Sequence, residues 1–246
     1  MAVNTIIEQY YSAGAGLHDA VKTLRTNIWF SAMDQEIKTI VVTSVNPHEG
    51  KSTLTVFLGI AMAESGQHTL LMECDCRRPM LQNYLKMQPD HDLVDILRRR
   101  ISAREAVTST PVERLDLLSS VVLASPVEVL ASNRFNGILE EFKQQYDVIL
   151  LDTPPLGSFI EAAILASRAD GTLLVLQSGS TEVATAQAVV AQLEKAKARV
   201  LGCVLNNVNM TSQQYYYADY YKDGRKRKDG GEKGKEKRLP TRKPEK

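Results

Sequence analysis

The sequence lacks long hydrophobic runs and has few cysteines and histidines. No run of 18 apolar residues and no signal peptide occurs in the 246 residues, which predicts a soluble protein that reaches a membrane only through a partner. Cys74, Cys76 and Cys203 lie in apolar stretches without C-x-x-C spacing, which predicts core thiols in a reducing cytosol. The histidines are scattered, at positions 18, 48, 68 and 91, and predict no metal cluster.

Charge divides the chain into two unequal parts. Residues 1–221 carry 18 Lys and Arg against 24 Asp and Glu, whereas residues 222–246 carry 12 against 5. The overall charge of +1 therefore combines −6 with +7. Apolar periodicity stops after Met210, so we expect one α/β domain over residues 1–210. Residues 211–246 should form a tyrosine-bearing, basic and disordered tail.

Apolar runs predict six strands separated by helical patterns, at residues 39–43, 69–74, 115–119, 148–152, 171–177 and 200–206. Several runs are apolar at consecutive positions, as in parallel strands that are covered on both faces. A helix is predicted over residues 17–33, with Val21, Leu24, Ile28 and Trp29 on one stripe. The predicted fold class is α/β, with a mostly parallel sheet, helices on both faces and ligands at the carboxyl ends of the strands.

Residues 44–53 form a turn-rich segment between the first strand and a helical run over residues 54–64. Gly50, Lys51 and Ser52 match the end of a phosphate-binding P-loop, in which backbone N–H groups surround phosphate oxygens. Lys51 supplies a cation for the phosphates, and the Ser52 hydroxyl is placed to bind Mg²⁺. The strict pattern has glycine where this chain has Val45. The preceding strand, the following helix and a distant acidic strand end supply the context that the incomplete motif needs.

Two further predicted strands end in acidic residues. Alternation along an extended strand points Glu73, Asp75 and Arg77 to one side. Carboxylates beside a P-loop can hold Mg²⁺, position its waters or accept a proton from an attacking hydroxyl. The alternative is a solvated strand end with a salt bridge to Arg78. Asp152, after the apolar run at residues 148–151, fits the Walker B role of holding Mg²⁺.

With these motifs the chain resembles the bacterial tyrosine kinases, cytoplasmic autokinases of capsule and exopolysaccharide synthesis in the MinD-like branch of P-loop ATPases. The resemblance spans residues 17–221. It rests on residues 47–53, 73–79 and 152–155, the helix at residues 19–28 and a C-terminal tyrosine cluster.

The resemblance implies ATP and Mg²⁺ as cofactors and assigns a role to each matching residue. The implied catalytic residues are Lys51, Glu73, Asp75 and Asp152. Those implied to bind Mg²⁺ are Ser52, Asp75 and Asp152. Nucleotide contacts are implied for Glu49, Gly50, Lys51, Ser52, Thr53 and, at the adenine, Asn206. Glu73 is the candidate base for the tyrosine hydroxyl.

Three departures from the family pattern affect these expectations. Glu73 stands where the family has Asp, which changes the reach of the candidate base by one methylene. Asp19, Lys22 and Arg25 replace the oligomerisation motif Glu-x-x-Arg-x-x-Arg, and lysine cannot make the bidentate carboxylate contact of arginine. The implied ring is therefore expected to be weaker. Glu161 also replaces a more usual Asp.

Five of the nine tyrosines lie within seven residues, at positions 215, 216, 217, 220 and 221. One interpretation is a helix face or packing patch. The other is a phosphoacceptor tail that enters the active site of a neighbouring subunit. Its acceptors would be Tyr215, Tyr216, Tyr217, Tyr220 and Tyr221. Each phosphate adds about −1.5 to −2 charges, so full modification reverses the charge of the tail. Solvation is the commonest meaning of the basic run after it, which could instead bind anionic lipid or nucleic acid; no nucleic-acid partner is expected.

The sequence thus predicts an ATP-dependent protein tyrosine autokinase that regulates polysaccharide synthesis and export. The resemblance implies a membrane-anchored activator of the chain-length-determinant type, expected as a separate polypeptide, which recruits the cytoplasmic kinase to the inner membrane face. It also implies a ring-shaped homo-oligomer and a cognate tyrosine phosphatase. Two alternatives stay open: a MinD/ParA-like ATPase switch whose tyrosines are not substrates, and a catalytically weak regulatory scaffold.

Overall fold

The computed structural model describes residues 5–33 and 35–208, and a mostly parallel sheet forms its centre. In spatial order the seven strands of this described part run β3-β4-β2-β5-β1-β6-β7, and only β3 and β4 pair antiparallel. The strands are β1 Thr39–Ser44, β2 Thr69–Glu73, β3 Thr108–Ser109, β4 Leu115–Leu118, β5 Val148–Asp152, β6 Gly171–Gln177 and β7 Val200–Asn206. The predicted fold class is confirmed.

The six predicted strands are all present, and the last three have the predicted bounds. The strand that the sequence analysis missed, β3, is two residues long and lies at the edge of the sheet. Such a short segment leaves no hydrophobic pattern to recognise.

Nine α-helices surround the sheet in the described residues. They are α1 Ile6–Ser12, α2 Ala15–Ser31, α3 Lys51–Glu64, α4 Leu81–Leu85, α5 Leu93–Leu97, α6 Pro126–Ala131, α7 Asn133–Lys143, α8 Glu161–Ala166 and α9 Val183–Lys195. Helix α1 was not predicted. It begins with a capping box, in which the Thr5 hydroxyl accepts the Glu8 N–H (3.1 Å) and the Glu8 carboxylate accepts the Thr5 N–H (2.6 Å).

The core has two layers, one on each face of the sheet. Leu71 and Leu150 belong to the layer that contains α3, whereas their neighbours Leu70 and Leu151 belong to the layer that contains α7 and α9. Successive residues of a strand point to opposite faces, so the consecutive apolar residues supply both layers. Each fully buried leucine contributes roughly 1.5–3 kcal/mol relative to exposure.

Two expectations about burial are wrong. Cys203 is exposed because it lies on β7, an edge strand with only partial cover, whereas Cys74 and Cys76 are buried as predicted. Trp29 was placed on the buried stripe of α2, but its side chain is 64% exposed, and Val21 and Ile28 are the buried positions of this helix.

No helix within the described residues is long and apolar enough to span a bilayer. The predicted boundary between residues 1–210 and 211–246, and the tyrosine cluster after it, lie outside the described residues.

Candidate active site

The P-loop connects the end of β1 at Ser44 to the start of α3 at Lys51. Gly50 precedes the helix with φ at 92°, a left-handed conformation that favours glycine. Helix α3 has no side-chain cap, and the first N–H groups of a helix have no partner within it. These N–H groups and the helix dipole make the loop suitable for phosphate.

Val45, which occupies the glycine position of the strict motif, is completely buried. Gly157, in the segment after β5, packs on the Val45 backbone: a Cβ added to Gly157 would come 2.3 Å from the Val45 carbonyl oxygen but 3.7 Å from the nearest Val45 side-chain atom, an ordinary contact. The Leu156 N–H also donates to the Ser44 carbonyl (2.8 Å). The segment after β5 therefore packs directly on the start of the P-loop.

Glu49 holds the P-loop together from within. Its Oε2 accepts the N–H groups of Val45 (2.8 Å) and Asn46 (2.9 Å). Its Oε1 accepts the Asn46 side-chain amide (3.1 Å) and the Thr181 hydroxyl (2.5 Å). Thr181 was not among the predicted site residues. The available signal was a Ser-Gly-Ser-Thr turn directly after β6, at the ligand-binding edge of the sheet.

Asn206 ends β7 and lies against the P-loop. Its Nδ2 donates to the Glu49 carbonyl (3.0 Å), and a Cβ added to Gly50 would come 2.2 Å from that Nδ2 atom. Gly50 is thus favoured by its φ, and any side chain at this position would also push the Asn206 amide away from the P-loop. The predicted contact of Asn206 with adenine stays a prediction.

Lys51 lies among three predicted site residues. Its Nζ is 3.0 Å from Asp75 Oδ2, 3.1 Å from Ser52 Oγ and 3.6 Å from Asp152 Oδ1. Burial alone would lower the pKa of Lys51, but Asp152 and Asp75 raise it above its ordinary value. Lys51 therefore keeps its charge at neutral pH, as phosphate binding requires.

Asp152 is fully buried, and neither of its carboxylate oxygens has a hydrogen-bond partner in the described part of the chain. Burial raises its pKa. A buried carboxylate is costly unless a cation compensates it, and Lys51, whose Nζ is 3.6 Å from Oδ1, compensates it in part. Asp75 and the Ser52 hydroxyl lie close to Lys51, as Asp152 does. The oxygen atoms of these three side chains are the kind of ligand that Mg²⁺ prefers.

Glu73 and Asp152 are paired on neighbouring strands. Glu73 Oε2 accepts the N–H groups of Met80 (2.7 Å) and Leu81 (2.9 Å), and Oε1 accepts the Asp75 N–H (3.1 Å). Burial and the nearby Asp152 raise the pKa of Glu73 to about 8. A carboxylate has about four acceptor sites, so this pattern leaves about one on Oε1.

The salt bridge after β2 belongs to Arg77, not Arg78. Arg77 Nε is 2.7 Å from Oε1 of the buried Glu161, and its guanidinium lies 4.4 Å from the centroid of Phe159. Arg78 makes no salt bridge within the described residues. Strand β2 ends at Glu73, so strand alternation does not govern Asp75 and Arg77. The loop after β2 is thereby joined to the segment after β5.

The three predicted oligomerisation residues differ in their surroundings on α2. Asp19 and Lys22 are exposed. Arg25 is partly buried and donates to the Ala61 carbonyl of α3 (2.7 Å). Arg25 thus has a structural role within its own chain, whereas Asp19 and Lys22 make no side-chain hydrogen bond or ion pair with the residues that the structure describes.

The parallel sheet, the loop before α3 and the acidic ends of β2 and β5 define a P-loop ATPase. The AAA domain family (AAA_31) matches residues 37–209. Tyrosine-protein kinase CpsD of Streptococcus agalactiae is 34% identical over 224 residues, which cover 90% of this chain and 93% of that protein. Tyrosine-protein kinase YwqD of Bacillus subtilis (strain 168) is 32% identical over 79% of this chain and 83% of that protein.

Among solved structures, the chimerical protein CapA2B2 superposes with a TM-score of 0.74 at 27% identity, over 77% of this chain and 84% of that chain. The chain therefore belongs to the bacterial tyrosine-kinase family, within the AAA domain family of P-loop proteins.

Proposed function

We propose that this protein is an ATP- and Mg²⁺-dependent tyrosine autokinase that phosphorylates a C-terminal tail. The observation that carries the proposal is the grouping of Lys51, Ser52, Asp75 and Asp152 at the start of α3. A P-loop lysine beside two carboxylates is the arrangement that phosphoryl transfer from a nucleotide requires.

Each residue of the group has one task in the proposed reaction. Lys51 and the N–H groups at the start of α3 bind the phosphates. Ser52 and Asp152 would hold Mg²⁺, the latter directly or through water, and Asp75 would support the waters of the metal. The metal would neutralise charge on the phosphate oxygens during transfer. Gly50 and Glu49 shape the loop, Thr53 would contact the nucleotide, and Asn206 would contact the adenine.

Glu73 is the candidate base for the acceptor hydroxyl. Its pKa of about 8 lies close to the pH of a bacterial cytoplasm, where a general base is most effective. Glu73 is only 2% exposed, so in the proposed reaction the remaining acceptor site on Oε1 would have to be uncovered for a tyrosine hydroxyl to reach it.

A second candidate function is a regulatory scaffold in which nucleotide sets the oligomeric state and transfer is weak. The three N–H groups that donate to the Glu73 carboxylate favour this candidate, because they fix the side chain against the backbone of the segment that follows β2. A MinD/ParA-like ATPase switch, an assembly or positioning factor whose tail tyrosines are not substrates, is a separate alternative.

The proposed acceptors are Tyr215, Tyr216, Tyr217, Tyr220 and Tyr221, in a tail that begins near residue 211. In the unmodified protein, Asp19 and Lys22 would help to form a homo-oligomeric ring, so that one subunit phosphorylates the next. A separate membrane-anchored activator would recruit the kinase to the inner face of the membrane, where it regulates capsular or exopolysaccharide synthesis. A tyrosine phosphatase would reverse the modification.

Mass spectrometry after incubation with ATP–Mg²⁺ and the activator tests the proposal. We expect phosphotyrosine on the tail, and none in Lys51→Met, which removes the cation that stabilises the transferred phosphate. ATP turnover without phosphotyrosine would support the switch. Neither turnover nor phosphotyrosine, with ATP binding intact, would support the scaffold.

A further inference from the structure

The turn after β6 contacts the P-loop through one side chain. The Thr181 hydroxyl donates to Glu49 Oε1 at 2.5 Å and accepts the Gln177 N–H at 2.9 Å. Glu49 is only 3% exposed. The bond therefore joins the end of β6 to the phosphate-binding loop across 132 residues of sequence.

Glu49 is part of the P-loop, so its acidic side chain lies within the segment that is proposed to bind phosphate. Four donors hold its carboxylate, two on each oxygen. Three of them come from the P-loop itself, at Val45 and Asn46, and Thr181 supplies the fourth from another part of the fold. Without the Thr181 hydroxyl, Oε1 would keep one donor, and the orientation of the carboxylate would depend on the loop alone.

We propose that Thr181 is a positioning residue for nucleotide binding, which acts through Glu49 to fix the P-loop in the conformation that binds phosphate. The inference rests on the proposed ATP-dependent function and adds a residue outside the P-loop and the acidic strand ends. Asn206 fixes the same residue from the other side through the Glu49 carbonyl. The turn after β6 and the end of β7 thus support the P-loop jointly.

The test compares Thr181→Val, which keeps the shape of the side chain, with Thr181→Ser, which keeps the hydroxyl. Ser180→Ala is the matched control, because Ser180 is exposed and makes only a backbone hydrogen bond in the described structure. Affinity for ATP–Mg²⁺ is measured by titration, kcat and KM from initial rates of ATP turnover, and folding by the Tm.

We expect Thr181→Val to weaken ATP–Mg²⁺ binding and raise KM by roughly tenfold, the scale of one charge-assisted hydrogen bond. The kcat should stay within about twofold, because Thr181 does not touch the reacting atoms. Thr181→Ser and Ser180→Ala should bind ATP with the affinity of the protein that carries no substitution. In Glu49→Gln, adding Thr181→Val should weaken binding little further, since the two residues act through one bond.

The inference would be overturned if Thr181→Val left the affinity for ATP–Mg²⁺ unchanged, whether or not it lowered the Tm. It would also be overturned if the Val and Ser variants lost affinity equally, or if the losses in the double variant were additive. Lys51→Met distinguishes failure of the role proposed for Thr181 from failure of the proposed function. If Lys51→Met abolishes phosphotyrosine and Thr181→Val binds ATP normally, only the role of Thr181 is wrong. If Lys51→Met forms phosphotyrosine normally, the proposed function itself is wrong.

Discussion

Gly157 lies against Val45 so closely that the smallest side chain would bring a carbon atom within 2.3 Å of the Val45 carbonyl oxygen. The contact is with the backbone of Val45, and the nearest atom of the valine side chain would lie 3.7 Å from the added carbon, an ordinary distance. A residue larger than glycine at position 157 would therefore displace the start of the P-loop, although the two segments lie far apart in the sequence.

Gly157→Ala should displace the segment after β5 and weaken ATP–Mg²⁺ binding, because the neighbouring atom is backbone and cannot move alone. We expect a destabilisation of about 1–3 kcal/mol, the usual scale for overpacking. The measurement combines denaturant unfolding with nucleotide titration. Gly137→Ala is the control, since nothing lies within 4 Å of its added Cβ; equal behaviour of the two variants would contradict the packing argument.

Asp152→Asn should reduce the Mg²⁺ dependence of nucleotide binding without lowering the Tm. The substitution removes a buried carboxylate whose pKa is raised by burial, so the loss of its interaction with Lys51 is offset by the loss of its desolvation cost. Nucleotide titration with and without Mg²⁺ measures the effect. An unchanged Mg²⁺ dependence would rule out the Walker B assignment.

Removing residues 215–221 should eliminate most autophosphorylation and leave ATP binding intact, since the nucleotide site is built from residues of the described domain. Phosphopeptide mapping and nucleotide titration measure the two properties. Tyr146 offers an internal contrast, because its hydroxyl donates to Asp116 (2.9 Å) and its pKa is raised by burial. Phosphate found mainly on Tyr146 or Tyr84 would contradict the acceptor-tail proposal.

Glu73→Gln should lower phosphoryl transfer by about 10²-fold or more at nearly constant nucleotide affinity if Glu73 is the base. Glu73→Asp, which restores the acid of the family, should raise transfer above that of the unmodified protein if the longer side chain has disabled the site. Initial rates of phosphotyrosine formation at saturating ATP–Mg²⁺ compare all three proteins. Equal rates would leave Asp75 as the leading candidate.

Glu73 also predicts how stability depends on pH. Burial raises its pKa from the ordinary 4.5 to about 8, so the folded protein binds a proton that the unfolded chain releases at a lower pH. Protonated Glu73 therefore contributes to the free energy of unfolding. This stabilisation is fully present below the ordinary pKa of 4.5 and is lost as pH rises towards about 8. The Tm, measured without Mg²⁺ and nucleotide, should fall less steeply over this range in Glu73→Gln, and an identical slope would contradict the shift.

The sheet was predictable because its buried parallel strands are continuous apolar runs, and β5, β6 and β7 have their predicted bounds. The grouping of Lys51 with Asp75 and Asp152 followed from a P-loop and two acidic strand ends in one parallel sheet. Contacts between distant loops were not predictable, since no local pattern records that Thr181 reaches Glu49. The burial of Trp29 and Cys203 was misjudged because hydrophobic periodicity does not show where neighbouring elements leave a helix or an edge strand uncovered.

The exposure of Cys203 makes the protein suitable for site-selective labelling. Cys74 and Cys76 are buried, and burial raises the pKa of the Cys76 thiol to about 12. A maleimide dye under native conditions should therefore attach to Cys203, which lies on the same strand as Asn206 and three residues before it. Cys203 thus offers one exposed thiol for labelling near the carboxyl end of β7 without an engineered cysteine, although burial raises its pKa above the ordinary value as well.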